Sequence, residues 1–154
     1  MIYALVVLAL AALDQLSKIL VLSKLKPIGS YPIIQDVFHF TYAENTGAAF
    51  SIFQDRKYFV MVITTIALAA IFFHLVQMVR ESSKLTLYVA SLTLILAGGI
   101  GNLIDRFRLG YVVDFIDFRI VKFAIFNVAD IFIVLGVFLI FVDLILSGKR
   151  VFKK

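Results

Sequence analysis

Four apolar runs dominate this chain: Ile2–Leu22, Tyr58–Met78, Leu85–Ile104 and Phe126–Leu146. Each has the roughly 20 helical residues that a bilayer's hydrocarbon core requires. A helix satisfies its own backbone hydrogen bonds, so it can cross lipid without orphaned peptide groups. These runs predict a single integral-membrane domain over residues 1–154. Its spans fall at about 2–22, 58–78, 85–104 and 126–146, with extracytoplasmic segments at 23–57 and 105–125. Hydrophobic residues make up 62% and charged residues 16% of the chain, against roughly 45–50% and about 25% in soluble proteins. A soluble sphere of this size has too little interior to hide that surface. The first run lacks a basic leader and a small-x-small site followed by a soluble domain, so it reads as a permanent helix.

An even number of spans places both termini on one side with the short Val79–Lys84 turn. That side carries Arg80, Lys84, Lys149, Arg150, Lys153 and Lys154 in little chain. The basic residues opposite are more numerous but diluted by acidic ones and spread over two long segments, so positive charge density favours cytoplasmic termini. The net charge of +5 reads as membrane-flanking charge, and no nucleic-acid partner is expected. With no cysteine there is no disulfide, thiol nucleophile or thiolate metal site. His39 and His74 are far apart, and no cofactor or metal is expected.

The long first connection contains Asp36-Val-Phe-His-Phe-Thr-Tyr42, whose polar–apolar alternation predicts a strand. Asn45-Thr-Gly47 follows as a turn into a possible second strand, Ala48–Phe53, while Pro27 and Pro32 argue against helix before it. The expected fold class is an all-α membrane protein of four transmembrane helices, with a small β-sheet in the long first extracytoplasmic loop. Such a sheet could hold an extended peptide.

Ionisable groups in or beside a span need partners. Asp14 and Lys18 stand four apart on one helical face, as an ion pair that lets the span insert or as a brace for a nearby site. Gly98-Gly-Ile-Gly-Asn102 lets a neighbouring helix approach closely. Asn102, Asp105 and Arg106 share one face at i, i+3 and i+4. Asp114 and Asp117 stand out in apolar Val112–Phe118, and Asn127-Val-Ala-Asp130 opens the fourth span. By the four-span topology, Asp14, Asn45, Asn102, Asp105, Arg106, Asp114 and Asp130 all meet at one face of the membrane. A transporter would instead carry polar groups through the midplane.

Few nucleophiles are on offer there. What remains is a pair of carboxylates, one from the loop and one from the fourth helix. Two close aspartates do not both ionise easily, so one keeps a proton. The ionised partner can activate water while the protonated one donates to a carbonyl or leaving amine. From chemistry alone, this aspartyl reading stands beside a non-catalytic membrane scaffold and, more weakly, a proton-coupled transporter.

Five motifs shift that balance: Asp14-Gln-Leu-Ser-Lys18, Glu44-Asn-Thr-Gly-Ala-Ala-Phe50, Gly101-Asn-Leu-Ile-Asp-Arg106, Val112-Val-Asp-Phe115 and Phe126-Asn-Val-Ala-Asp130. In this order, and across nearly the whole chain, they resemble the bacterial lipoprotein signal peptidases (signal peptidase II), a family of membrane aspartyl endopeptidases. The resemblance implies a monomeric enzyme of the bacterial cytoplasmic (inner) membrane, with both termini in the cytoplasm and its site near the extracytoplasmic face. Its substrate would be a diacylglyceryl-modified prolipoprotein, cleaved on the amino side of the lipidated Cys, in contact with membrane lipid. It further implies a catalytic dyad of Asp114 and Asp130, with Asn45, Gly47, Asn102, Arg106 and Asn127 binding or orienting the peptide. Asp14, Lys18 and Asp105 would support them, Asp105 as a brace for Arg106. Asp117 becomes a decoy, and inhibition by globomycin-type cyclic peptides is implied.

Overall fold

The computed structural model describes residues 2–47, 57–81, 85–121 and 123–151. Helix α1 (Ile2–Leu20) runs on into a π-helical turn, Val21–Leu25. Strands β1 (Ser30–Ile34) and β2 (Phe38–Asn45) follow, then α2 (Lys57–Glu81), α3 (Leu87–Leu109), β3 (Val112–Phe118) and α4 (Val128–Val151). Four helices are long and apolar enough to cross a membrane. The chain is a multi-pass membrane protein.

Helix α3 is the hub, with α1, α2 and α4 each packed against it. Its glycines explain how one helix serves three neighbours. A Cβ on Gly98 would strike the Ala129 carbonyl oxygen of α4, and one on Gly99 would strike the Leu68 side chain of α2. At Gly101 it would meet the Asp14 carboxylate of α1. Around these contacts Val7, Leu68, Leu75, Val89, Leu92, Leu96 and Ala97 form the apolar core. Thr86 starts α3 by accepting a hydrogen bond from the Val89 amide at 3.1 Å. Gly110, at φ +83°, ends it and turns the chain into β3. Asp105 and Arg106 therefore lie on the last turns of the helix, which continues five residues beyond the expected end at Ile104.

The sheet has order β1-β2-β3 and is antiparallel throughout. Strand β2 takes in Phe38–Tyr42 of the predicted segment and runs on to Asn45, while Asp36 and Val37 lie in the turn between β1 and β2. The expected strand Ala48–Phe53 lies outside the described residues. The expected small sheet is present in the first loop as β1 and β2, and a third strand, β3, joins it from the connection between α3 and α4. Its register sets Ala43 opposite Asp114 and Asn45 opposite Val112. Val113 and Phe115 pack with Val21 and Leu25, which fastens this strand to the end of α1. Asp114 alternates with them and faces the opposite way.

The glycine contacts predict unequal costs. Gly98→Ala drives a methyl group into the backbone of α4, which cannot swing aside, whereas Gly99→Ala meets the end of a leucine side chain. Gly98→Ala should destabilise by about 1–3 kcal/mol, visible as a lower unfolding temperature in detergent micelles than that of Gly99→Ala. Equal midpoints would refute this packing.

Candidate active site

The site is assembled from a buried lysine outward. Lys18 is 1% exposed and its ammonium has three protons to place. It meets Asp14 Oδ2 at 2.9 Å, Asp105 Oδ2 at 2.9 Å and Asn102 Oδ1 at 2.9 Å. Two carboxylates and one amide carbonyl, from α1 and α3, thus satisfy every donor. The sequence allowed Asp14–Lys18 as a simple pair within one helix, and the structure joins it to a network. Asp14 spends its other oxygen on the Ala129 amide at 3.0 Å, capping the start of α4 from α1.

Because lysine can only donate, it decides which way Asn102 points. Its carbonyl must face Lys18, so its NH₂ is directed away, and it donates to Asp130 Oδ1 at 2.8 Å. Asn127 is held in the same manner. Its Oδ1 accepts the Asp130 amide at 3.0 Å, while its Nδ2 donates to Asp114 Oδ1 at 2.6 Å and Asn102 Oδ1 at 3.1 Å. Asn45 completes the pattern, since its Oδ1 accepts the Gly47 amide at 2.9 Å and its Nδ2 donates to Asp114 Oδ2 at 2.9 Å. Gly47 makes that turn at φ +89°, a conformation that favours glycine. Each of three asparagines has its carbonyl end occupied and turns its NH₂ toward a carboxylate.

Asp130 returns a bond from the other end of Asn127. Its Oδ2 accepts the Asn127 backbone amide at 3.1 Å, so the two residues form a reciprocal capping box at the start of α4. Asp114 and Asp130 are therefore tied to one residue, Asn127, and each carboxylate keeps acceptor capacity for a further proton. Asp114 is 2% exposed. Burial pushes its carboxyl up to about 6; Asn45 and Asn127 oppose the rise and the neighbouring charge of Asp130 adds to it. Arg106 stands within electrostatic range of both aspartates. Its one hydrogen bond among the described residues is a long one, 3.4 Å to the Asn102 carbonyl.

Asp105 does not brace Arg106, as the sequence suggested. Successive helical residues point about 100° apart at 3.6 residues per turn, and Asp105 turns toward Lys18. It also accepts the Val113 amide at 3.1 Å, so it joins α1, α3 and β3. Asp117 lies on the other face of β3 from Asp114, accepting from Thr41 at 2.7 Å and Arg119 at 3.0 Å. Burial raises its carboxyl, but those two donors outweigh it and hold the group below the ordinary range. Sequence reasoning missed Gln15, whose Nε2 donates to Asp105 Oδ1 at 3.0 Å and the Gly101 carbonyl at 3.1 Å. An amide next to Asp14 inside an apolar run was the available signal. The structure brings together Asp14, Lys18, Asn45, Gly47, Asn102, Asp105, Arg106, Asp114, Asn127 and Asp130, and leaves Asp117 outside.

The family profile described as signal peptidase (SPase) II matches residues 6–146. The lipoprotein signal peptidase of Caldanaerobacter subterraneus is 48% identical over 88% of this chain and 90% of its own length. That of Clostridioides difficile is 42% identical over 97% and 99%. A bacterial membrane enzyme solved by the in meso method superposes with a TM-score of 0.83 at 32% identity, covering 96% of this chain and 90% of that one. With its buried carboxylates, its four spans and near full-length similarity, this chain belongs to the signal peptidase II family of aspartic-type membrane peptidases.

Proposed function

We propose that this protein removes the signal peptide from diacylglyceryl-modified prolipoproteins, cutting on the amino side of the lipidated Cys with Asp114 and Asp130 as the catalytic pair. The observation that carries the reading is the attachment of both carboxylates to Asn127, one through its side-chain NH₂ and the other through its backbone amide. That arrangement holds a loop carboxylate and a helix carboxylate in fixed relation inside an apolar surround.

In this mechanism the pair shares one proton, and the two apparent pKa values belong to the pair. The ionised aspartate takes a proton from water as its oxygen attacks the scissile carbonyl, while the protonated one donates to the carbonyl oxygen. Collapse of the tetrahedral species breaks the C–N bond, and the proton passes to the leaving amine. Asn45 and Arg106 orient the peptide. The edge of the sheet is suited to hold an extended substrate by strand addition. The termini lie in the cytoplasm of a bacterial cell, the site faces the outer side of its inner membrane, and the enzyme acts as a monomer. Globomycin-type cyclic peptides would occupy the same place.

One observation favours a structural role for Asp130: the capping box would start α4 whether or not chemistry follows. Purified protein and a diacylglyceryl-modified prolipoprotein separate the two readings. Asp114→Asn and Asp130→Asn should each lose about 10²–10⁴-fold in cleavage rate while remaining folded, and Asp117→Asn should stay active. Retained cleavage in either of the first two would remove that residue from the dyad.

The pH dependence has a definite sign. The Asp114 carboxyl rises from 3.8 to about 6 in the folded protein. A raised carboxyl contributes stability below its unfolded value that is lost as pH rises through its folded value. Between pH 4 and 7 the wild type should therefore lose thermal stability relative to Asp114→Asn. A constant difference between their unfolding temperatures across that range would contradict the buried setting of Asp114.

Lys18→Met supplies an independent check. It leaves Asp14 and Asp105 buried without their cation, at a cost of about 3–5 kcal/mol. The Lys18 charge also lowers the Asp114 carboxyl, so the high-pH limb of cleavage should move upward in any folded variant. An unmoved limb would break the link from Lys18 to the pair.

A further inference from the structure

A bilayer-facing slot between α2 and α3 leads to the same residues. The two helices touch where Leu68 covers Gly99. Nearer the outer end, a cavity of about 580 Å³ separates them. That is within the roughly 300–1,000 Å³ of small-molecule pockets. Met61, Val62, Thr65 and Ile66 line it from one face of α2, at the i, i+1, i+4 and i+5 positions of a helical stripe, and Arg106 and Phe107 line it from α3. Thr65 gives its hydroxyl proton to the Met61 carbonyl at 2.7 Å, so the wall presents hydrocarbon rather than a free polar group. Val62 and Ile66 are 56% and 64% exposed, which in this chain means exposed to lipid.

The head of the slot differs from its floor. Arg106 is half-buried there, with no carboxylate in ion-pair distance among the described residues and only the long bond to Asn102. Its guanidinium has five donors and no acceptor, so most have no partner among the described residues and suit carbonyl oxygens. Arg106 also stands within electrostatic range of the two aspartates. Gly47 approaches Val60, so the Asn45 turn sits against the first turn of α2. One end of the slot is therefore at the site, while the other descends into the bilayer. From Tyr58 to Ile66 it follows α2 for about 12 Å at 1.5 Å per residue.

We propose that this slot receives an acyl chain of the substrate's diacylglyceryl group, with Arg106 at its mouth holding the ester carbonyls. The inference rests on the peptidase reading and deepens it by assigning a place to the lipid. A chain seated between α2 and α3 reaches the carboxylates without leaving hydrocarbon, so the modified Cys comes to the site from the side. Such a slot also measures the substrate. Each buried methylene adds to binding, and an unmodified Cys forfeits the whole contribution.

A second apolar groove at the same end gives the experiment its contrast. It runs between the π-helical turn and the sheet, past Leu20, Ile28, Tyr31 and Phe115, on the side of β3 away from Asp114. The test compares prolipoproteins carrying dipalmitoyl- or dibutyrylglyceryl, cleaved by wild type, Val62→Trp and Ile66→Trp. Both substitutions fall on lipid-exposed positions, so they fill the slot without disturbing the core. Each should slow the dipalmitoyl substrate by roughly tenfold, equivalent to about 1.4 kcal/mol, and leave the dibutyryl substrate unchanged. A diazirine placed in the substrate's acyl chain should label Met61, Val62, Ile66 or Phe107.

Equal slowing of both substrates, or of neither, would overturn the assignment. So would labelling confined to Leu20, Ile28 and Tyr31, which would place the chain in the second groove. Labelling by a diazirine phospholipid but not by the substrate would make the slot a site for ordinary membrane lipid, and would also overturn it. Wild type that cleaves neither substrate would instead remove the peptidase reading, and this one with it.

Discussion

The ammonium of Lys18 is the constraint on which the rest of this structure depends. Burying a charge costs several kcal/mol unless its partners are well placed, and here all three of its protons find acceptors at 2.9 Å. The acceptors come from α1 and α3, and those residues extend the network. Asp14 caps α4, Asp105 fastens β3, and Asn102 turns its NH₂ to Asp130. One cation therefore sets the positions of three helices and a strand, and through an amide it orients a carboxylate that it does not touch. A hydrophobic residue of similar size would pack as well as Lys18 and impose none of this polarity.

The three asparagines show how the arrangement is made unambiguous. An amide can be turned end for end with little change in shape, so its direction must come from a group that only donates or only accepts. Lys18, the Gly47 amide and the Asp130 amide are such donors, and they face Asn102, Asn45 and Asn127 respectively. Every NH₂ is then left for a carboxylate. Burial makes ionisation of Asp114 expensive, while these neutral donors partly offset it without adding a positive charge that would abolish its affinity for a proton. A carboxyl at about 6 is the result of that balance.

Much of this was legible in the sequence, for identifiable reasons. Spans show themselves because lipid exposure demands unbroken apolar runs. The convergence of Asp14, Asn102, Asp105 and Asp130 follows from counting those spans. Strand β2 shows alternation because successive side chains point to opposite faces of the sheet, Phe38, Phe40 and Tyr42 on one and His39 and Thr41 on the other. Strand β3 does not, because Val113 and Phe115 pack against the end of α1 while Asp114 faces the site, so both sides are enclosed and the period of two is lost. The partner of Asp105 was misjudged because sequence adjacency to Arg106 says nothing of direction around a helix. Gln15 was overlooked since a glutamine in a span draws less notice than a charge. The slot beside Arg106 had no sequence signal at all; Gly99 draws α2 close at one level, and among the described residues no such contact closes the helices above it.

The i, i+4 spacing of Asp14 and Lys18 also bears on biogenesis. Helix α1 precedes α3 along the chain, and chains are made from the N-terminus. When α1 first enters the bilayer, Asp105 and Asn102 are not yet there to receive Lys18. The neighbouring carboxylate already neutralises it, so the segment carries its own counter-ion into the lipid. Only two of the acceptors that finally surround the ammonium are supplied later, by α3. The pair thus serves first as a passport for one helix and then as a socket for another, and assembly of the bundle is recorded by the filling of those last two valences.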